Sequence, residues 1–301
     1  MRKNVIASRA DENTGKNISI IINENTSMTL NDTLFEKPSS AETRSFAHTA
    51  RSIFFAFLLI VWILIMLPAF FIFKYLLPAR LDFFYKTFHR ICCYIFSMEV
   101  TTEGEVSALK PTLFLSNHVS YLDVFALSSK LPGYFIAKSE VAGWPVLGQL
   151  AKIQNTLFFE RKGNKIRAQL SIMSHHFDQN KNLILFPEGT STEGEHVEPF
   201  KSSLLQSVEQ AVETVTIQPV TIAYTHYKNK PMTRAVRDQY AWYATMPFGP
   251  HFFNALGLKK SSIKIIFHPA LELKSFDSRK ECAFYCWQQV AVGLTNANKI
   301  H

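Results

Sequence analysis

Thr112-Leu113-Phe114-Leu115-Ser116-Asn117-His118-Val119-Ser120-Tyr121-Leu122-Asp123 opens as a continuous apolar run and ends in a polar cluster. The run has the length and composition of a strand buried on both faces. Similar runs recur at Tyr134–Ala137, Thr156–Phe159, Leu183–Phe186, Val215–Ala223 and Ile263–Phe267. Helical stripes lie between them: Ile166, Leu170, Met173 and Phe177 form one, and Leu204, Leu205, Val208, Ala211 and Val212 another. Strands alternating with helices predict an α/β domain, its central sheet mostly parallel or mixed and flanked by helices. In such sheets chemistry sits beyond the carboxyl ends of the strands. His118 stands just past one such end, with Asp123 five residues on. Of the ten histidines only His118 has an acidic residue at that spacing. A carboxylate against one ring nitrogen fixes the tautomer and leaves the other nitrogen as a general base.

Upstream, Ser52–Phe73 is 22 residues without a charge. As a helix it would be ~33 Å long, enough for a bilayer core of ~30 Å. It starts too far into the chain for a cleaved signal peptide, and Pro68 inside it predicts a kink. From about residue 79 to 98, Leu81, Phe84, Tyr85, Phe88, Ile91 and Ile95 recur at helical spacing, opposite Asp82, Lys86, His89 and Arg90. This second segment reads as an amphipathic helix at the membrane surface. The pair forms either a spanning helix plus a surface helix, or a re-entrant hairpin turning near Pro68 or Pro78. Flanking cations, three before and four after, do not set an orientation. Residues 1–46 are rich in Asn, Ser and Thr and read as a disordered tail. The organisation expected is therefore a tail to 46, membrane-anchoring helices over 47–98 and a catalytic domain over 99–301.

Composition narrows the function classes. The 301-residue chain is 47% hydrophobic and 19% charged, which excludes a disordered chain, and its four Cys exclude a disulfide scaffold. A net charge of +8 admits nucleic acid as a partner, but 26 Phe and the long apolar run favour a membrane and no nucleic acid. Cys282 and Cys286, and the adjacent Cys92 and Cys93, lack His neighbours at zinc spacing, so no metal is expected. Gly143-x4-Gly148 is followed by Gln149 rather than Lys and is no nucleotide loop.

Two more strand ends carry chemistry. Pro187-Glu188-Gly189-Thr190 follows Leu183–Phe186, and its Gly lets backbone N–H groups approach an anion. Glu160-Arg161-Lys162 follows Thr156–Phe159, and Arg161 is a natural bidentate clamp for a phosphate.

Together these blocks resemble the glycerolipid, or lysophospholipid, acyltransferases that include bacterial 1-acyl-sn-glycerol-3-phosphate acyltransferase. The matching residues are Asn117-His118-x4-Asp123, Leu157-Phe158-Phe159-Glu160-Arg161, Phe186-Pro187-Glu188-Gly189-Thr190 and the strand Val215–Tyr224 around Pro219, in the family's order. The second block departs from the family in having Asn155-Thr156 where a Gly usually precedes the apolar pair. The resemblance implies a membrane enzyme, on the cytoplasmic side of a bacterial inner membrane. It would move a fatty acyl group from acyl-CoA or acyl carrier protein to a lysolipid hydroxyl, with no cofactor beyond that co-substrate. Lysophosphatidate is the default acceptor and a lyso-ornithine lipid the alternative; a non-catalytic, membrane-tethered lipid- or phosphate-binding protein is the reading from another class. The resemblance also implies roles. His118 is the base and Asp123 its orienting partner. Lys138 is a candidate donor to the oxyanion, and Arg161 holds the acceptor phosphate. Asn117, Glu188, Gly189 and Thr190 shape the acceptor end of the pocket.

Overall fold

The computed structural model describes residues 45–160, 165–210 and 215–299. The tail expected over 1–46 therefore falls almost wholly outside the described residues. Among the described residues nine strands form one mixed sheet: β1 (Met98–Glu103), β2 (Thr112–Ser116), β3 (Tyr134–Lys138), β4 (Leu157–Phe159), β5 (Leu183–Leu185), β6 (Thr216–Tyr227), β7 (Lys230–Pro231), β8 (Ser261–Phe267) and β9 (Leu271–Glu272). The spatial order is β1-β8-β6-β2-β5-β3-β4, with the short β7 and β9 pairing on β6. From β6 through β2, β5 and β3 to β4 every pairing is parallel. β6 and β8 are antiparallel, and β8 pairs β1 in parallel. The six strands expected from the sequence are all present, β6 running four residues longer than its apolar pattern.

The middle strands explain themselves. Every residue of β2 is buried, as befits a parallel strand covered on both faces, whereas β8 alternates between buried and half-buried. The period of two sends Phe114 of β2 and Val220, Ile222 and Tyr224 of β6 to one face. Leu113, Leu115, Ile217 and Ala223 face the other. That second face is covered by α5 (Ile166–Asp178), through Leu170, Met173 and Phe177, and by α9 (Arg279–Lys299), through Cys282, Cys286, Val290 and Leu294. The α5 stripe is the one legible in the sequence. In the Leu204–Val212 stretch a 3-10 turn at Ser202–Leu205 leads into α6 (Gln206–Gln210). Ala211 and Val212 lie outside the described residues.

The first face is covered by the N-terminal helices, α3 (Leu122–Ser128) and α8 (Phe248–Gly257). α1 runs from Phe46 to Leu76, continuing through Pro68, with a mean hydropathy of 2.9 over its most apolar 18-residue stretch. Phe54, Phe57, Ile60, Leu64, Ile65, Phe71 and Ile72 are all exposed along it. A helix so apolar and so exposed is what a lipid environment selects. The chain turns at Pro78–Arg80, and α2 (Leu81–Ile95) runs back along α1. Trp62 stacks on Phe88 and donates its indole N–H to the Phe88 carbonyl, while Phe70 and Phe73 meet Phe84. The chain reverses at Pro78 and not at Pro68.

α2 corrects one expectation. His89, assigned to the solvent-facing side with Asp82, Lys86 and Arg90, is fully buried and bonds Gln154 at 3.0 Å. The apolar face of α2 is wider than the sequence spacing indicates, because Cys92 and Cys93 are buried beside Phe88 and Ile95. α3 packs on one side of α2 and α1 on another, while Phe83 and Tyr94 stay exposed.

At its start α1 is joined to the domain. Arg51 donates to the Ser97 hydroxyl at 2.6 Å and to the Leu258 carbonyl at 3.2 Å. Gly257 of α8 lies so close to Ser52 and His48 that a Cβ there would collide with both side chains. The remaining elements, α4 (Leu147–Ile153) and α7 (Arg234–Arg237), are short and sit in connections.

Candidate active site

β2 and β5 are neighbours, so their carboxyl ends lie side by side. His118 follows the first, and the turn Phe186-Pro187-Glu188-Gly189 follows the second. In that turn Gly189 takes φ +71, a conformation open to glycine at little cost, and its N–H donates to the Phe186 carbonyl at 3.1 Å. The two loops grip each other through the backbone of His118. Its N–H donates to Glu188 Oε1 at 2.6 Å, and its carbonyl accepts the Thr192 N–H at 2.9 Å. The imidazole lies flat on Phe186, the ring centroids 4.0 Å apart and the planes 14° from parallel. A third segment closes the arrangement. The Trp242 N–H donates to the Val119 carbonyl at 2.9 Å, and the Ser191 hydroxyl donates to the Trp242 carbonyl at 2.6 Å.

Asp123 sits in the first turn of α3 with no exposed surface. Its Oδ2 accepts from His118 Nδ1 at 2.9 Å and from the N–H groups of Val119 and Ser120 at 2.7 and 2.9 Å. Its Oδ1 accepts the Tyr224 hydroxyl at 2.8 Å. Four donors thus compensate a buried carboxylate that water does not reach. With the carboxylate on Nδ1, the ring proton stays there and Nε2 carries the lone pair. The His118 side chain is 21% exposed, and its Nε2 has no hydrogen-bond partner among the described residues. This arrangement can take a proton from a bound hydroxyl and hold the resulting imidazolium against Asp123.

The other residues singled out in the sequence fall into three groups. Lys138 ends β3, is exposed, and stands on the same sheet edge as His118 but two strands away, about 10 Å by strand spacing. Thr190 is also exposed, and Gly189 shapes the turn. Asn117 and Glu188, expected to touch the acceptor, are turned inward. The Asn117 amide accepts the Ile222 N–H and donates to the Ile222 carbonyl, at 2.8 and 3.0 Å. It thereby continues the β2–β6 ladder one step beyond Ser116–Val220. Both oxygens of Glu188 are occupied, Oε1 by His118 N–H and Oε2 by the Glu198 N–H at 2.7 Å. A strand-end position suggests ligand contact, whereas burial assigns these two polar groups to the backbone. Arg161 follows β4 and lies outside the described residues. Two neighbours of the dyad belong to matching blocks of the sequence without a role assigned to them there: Phe186 opens the block Phe186–Thr190, and Tyr224 ends the strand Val215–Tyr224.

Burial pushes the Glu188 carboxyl up to about 8, against the pull of its two backbone donors. The folded protein therefore holds this proton more tightly than the unfolded chain. The associated stability is fully present below the ordinary glutamate range near 4.5 and is lost as pH rises through about 8. The melting temperature is expected to fall across that window, and Glu188→Gln should flatten the fall while lowering the whole curve, since an amide can satisfy only one of the two N–H donors. A Gln variant with the wild-type pH slope in thermal melts would assign the titration to another group.

Comparison with known proteins agrees with this geometry. The family described as Acyltransferase matches residues 97–223, a span holding every site residue named above except Tyr224 and Trp242. The chain is 33% identical over 208 residues to a lyso-ornithine lipid O-acyltransferase of Rhodobacter capsulatus, covering 68% of this chain and 73% of that protein. It is 31% identical over 156 residues to the 1-acyl-sn-glycerol-3-phosphate acyltransferase of Neisseria gonorrhoeae, covering 52% and 58%. The crystal structure of the 1-acyl-sn-glycerophosphate acyltransferase of Thermotoga maritima shares the fold, with a TM-score of 0.65 at 20% identity over 86% of this chain and 99% of that one. The exposed apolar α1 fits the membrane lipids on which such relatives are named as acting. With a third of the aligned residues identical over 68% of this chain and 73% of one such relative, the chain belongs to the acyltransferase family and is an O-acyltransferase of lysolipids.

Proposed function

We propose that the chain transfers a fatty acyl group from an acyl-CoA or acyl carrier protein thioester to the hydroxyl of a lyso-ornithine lipid, at the cytoplasmic face of a bacterial inner membrane. The observation that carries the chemistry is the His118–Asp123 pair, in which the partly exposed His118 side chain is bonded to the carboxylate through Nδ1. His118 Nε2 accepts the acceptor's hydroxyl proton as the oxygen attacks the thioester carbonyl. The tetrahedral intermediate then collapses with loss of the thiolate, which takes the proton back from the imidazolium. Lys138, at the end of β3, is the donor we assign to the developing oxyanion. Thiolate is already a good leaving group, so neither a covalent acyl-enzyme nor a cofactor enters the scheme. The acceptor assignment rests on the lyso-ornithine relative, of which the chain covers 73%, against 58% for the lysophosphatidate relative.

Lysophosphatidate is the second reading, favoured by Arg161 at the position of a phosphate clamp. Purified full-length protein in detergent, given a labelled acyl donor and each lysolipid in turn, separates the two. Ornithine lipid should form at least about tenfold faster than phosphatidate, the scale of one lost polar contact. Arg161→Lys, which cannot reproduce a bidentate fork, should then leave the ornithine reaction nearly intact. Faster phosphatidate formation, with a markedly raised lysophosphatidate KM in Arg161→Lys, would overturn the ornithine assignment and leave acyl transfer standing.

A further inference from the structure

Asp123 faces His118 with one oxygen, but the other oxygen is held from across the sheet. Tyr224, near the end of β6, is among the largest fully buried side chains, and its hydroxyl donates to Asp123 Oδ1 at 2.8 Å. The two residues are 101 positions apart in the chain. The phenol is held at a fixed height, because two residues earlier the Ile222 backbone is bonded in both directions by Asn117, the neighbour of His118. The same strand end is also pinned by β8, whose Ile263 pairs with Tyr224. The ring packs against Tyr240, the centroids 5.8 Å apart. Burial raises the phenol above its ordinary range, so it stays protonated and remains a donor.

We propose that Tyr224 is a positioning residue for the acyl-transfer reaction: its hydroxyl fixes the rotation of the Asp123 carboxylate and shares its charge, and so sets both the aim and the basicity of His118. This rests on the reading of His118 as the base. Without the phenol, Oδ1 would be buried with no donor, and the carboxylate would be held at Oδ2 alone, free to tilt about that oxygen. The undiluted negative charge would also hold the imidazolium more firmly.

The test is Tyr224→Phe in full-length protein, with kcat, both KM values and the pH–rate profile measured beside a thermal melt. The expected result is a kcat about tenfold lower, the size of one lost hydrogen bond to a charged group. Both KM values should stay within about twofold, and the acidic limb of the profile should move to higher pH. In an Asp123→Asn background the same change should cost less than about twofold, because the two residues act as a unit. Should Tyr224→Phe fold poorly, 4-fluorophenylalanine at position 224 keeps the volume and lacks a donor, and 4-aminophenylalanine keeps a donor. Only the second should retain the wild-type limb. An unmoved pH profile, a raised KM at normal kcat, or an equal loss in the Asp123→Asn background would overturn the proposal. Failure of the base assignment looks different: His118→Ala would stay active whatever occupies position 224.

Discussion

His118→Ala is expected to lose acyl transfer by about 10²–10⁴-fold, the usual contribution of a positioned general base. The protein should remain folded. The imidazole is partly exposed, and the two backbone bonds that hold the loop, to Glu188 and from Thr192, do not involve the ring. What is lost is the stacking on Phe186 and the bond to Asp123, so a modest drop in melting temperature should accompany the collapse in kcat. Product mass from a labelled donor gives the first quantity and a thermal melt the second. Activity above about a tenth of wild type would remove His118 from the role of base.

Asp123→Asn separates orientation from charge. The site dictates which way the amide must lie. Oδ2 takes three N–H donors, so the amide oxygen belongs there, and the NH2 group then faces the Tyr224 hydroxyl, which can turn from donor to acceptor. The turn 118–123 should therefore survive, while the charge that stabilises the imidazolium disappears. The expected loss is again about 10²–10⁴-fold, in kcat with acceptor and donor KM little changed. Asp123→Ala differs in kind. It strips the acceptor from the buried Val119 and Ser120 N–H groups, at about 1–3 kcal/mol for each unsatisfied group. It should lower the melting temperature well below that of the Asn variant. A normal kcat with raised acceptor KM in Asp123→Asn would instead make Asp123 a binding residue.

The sequence carried what depends on local pattern. β2 through β6 appear as apolar runs, and α5 as a stripe, because burial on a strand or helix face imposes a period that one chain segment displays by itself. The His118–Asp123 spacing is local too, since both residues belong to one turn. What sequence could not show is what two distant segments do to each other. Asn117 and Glu188 look like ligand contacts from their place at strand ends. Only the packing of β6 and of the Pro187–Lys201 loop reveals that their polar groups are consumed by backbone. Tyr224 is hidden for the same reason, since nothing near it in the chain marks the carboxylate it serves. In α2 the error lay in the width of the face: His89 is polar by type, yet the helix is covered on two sides and its neutral imidazole is packed beside Gln154.

The dependence of the 118–123 turn on β6 has a consequence for synthesis. α1 and α2 leave the ribosome first and can meet the membrane early, whereas the Asp123 carboxylate waits for a donor made about a hundred residues later. At ~5–20 residues per second that interval lasts roughly 5–20 s. Until then β2 lacks the strand that pairs along its whole length, and Asn117 lacks the backbone it will bridge. A growing chain thus carries its apolar α1 well before the 118–123 turn is complete, and one released anywhere short of β6 has the helix without the Tyr224 donor.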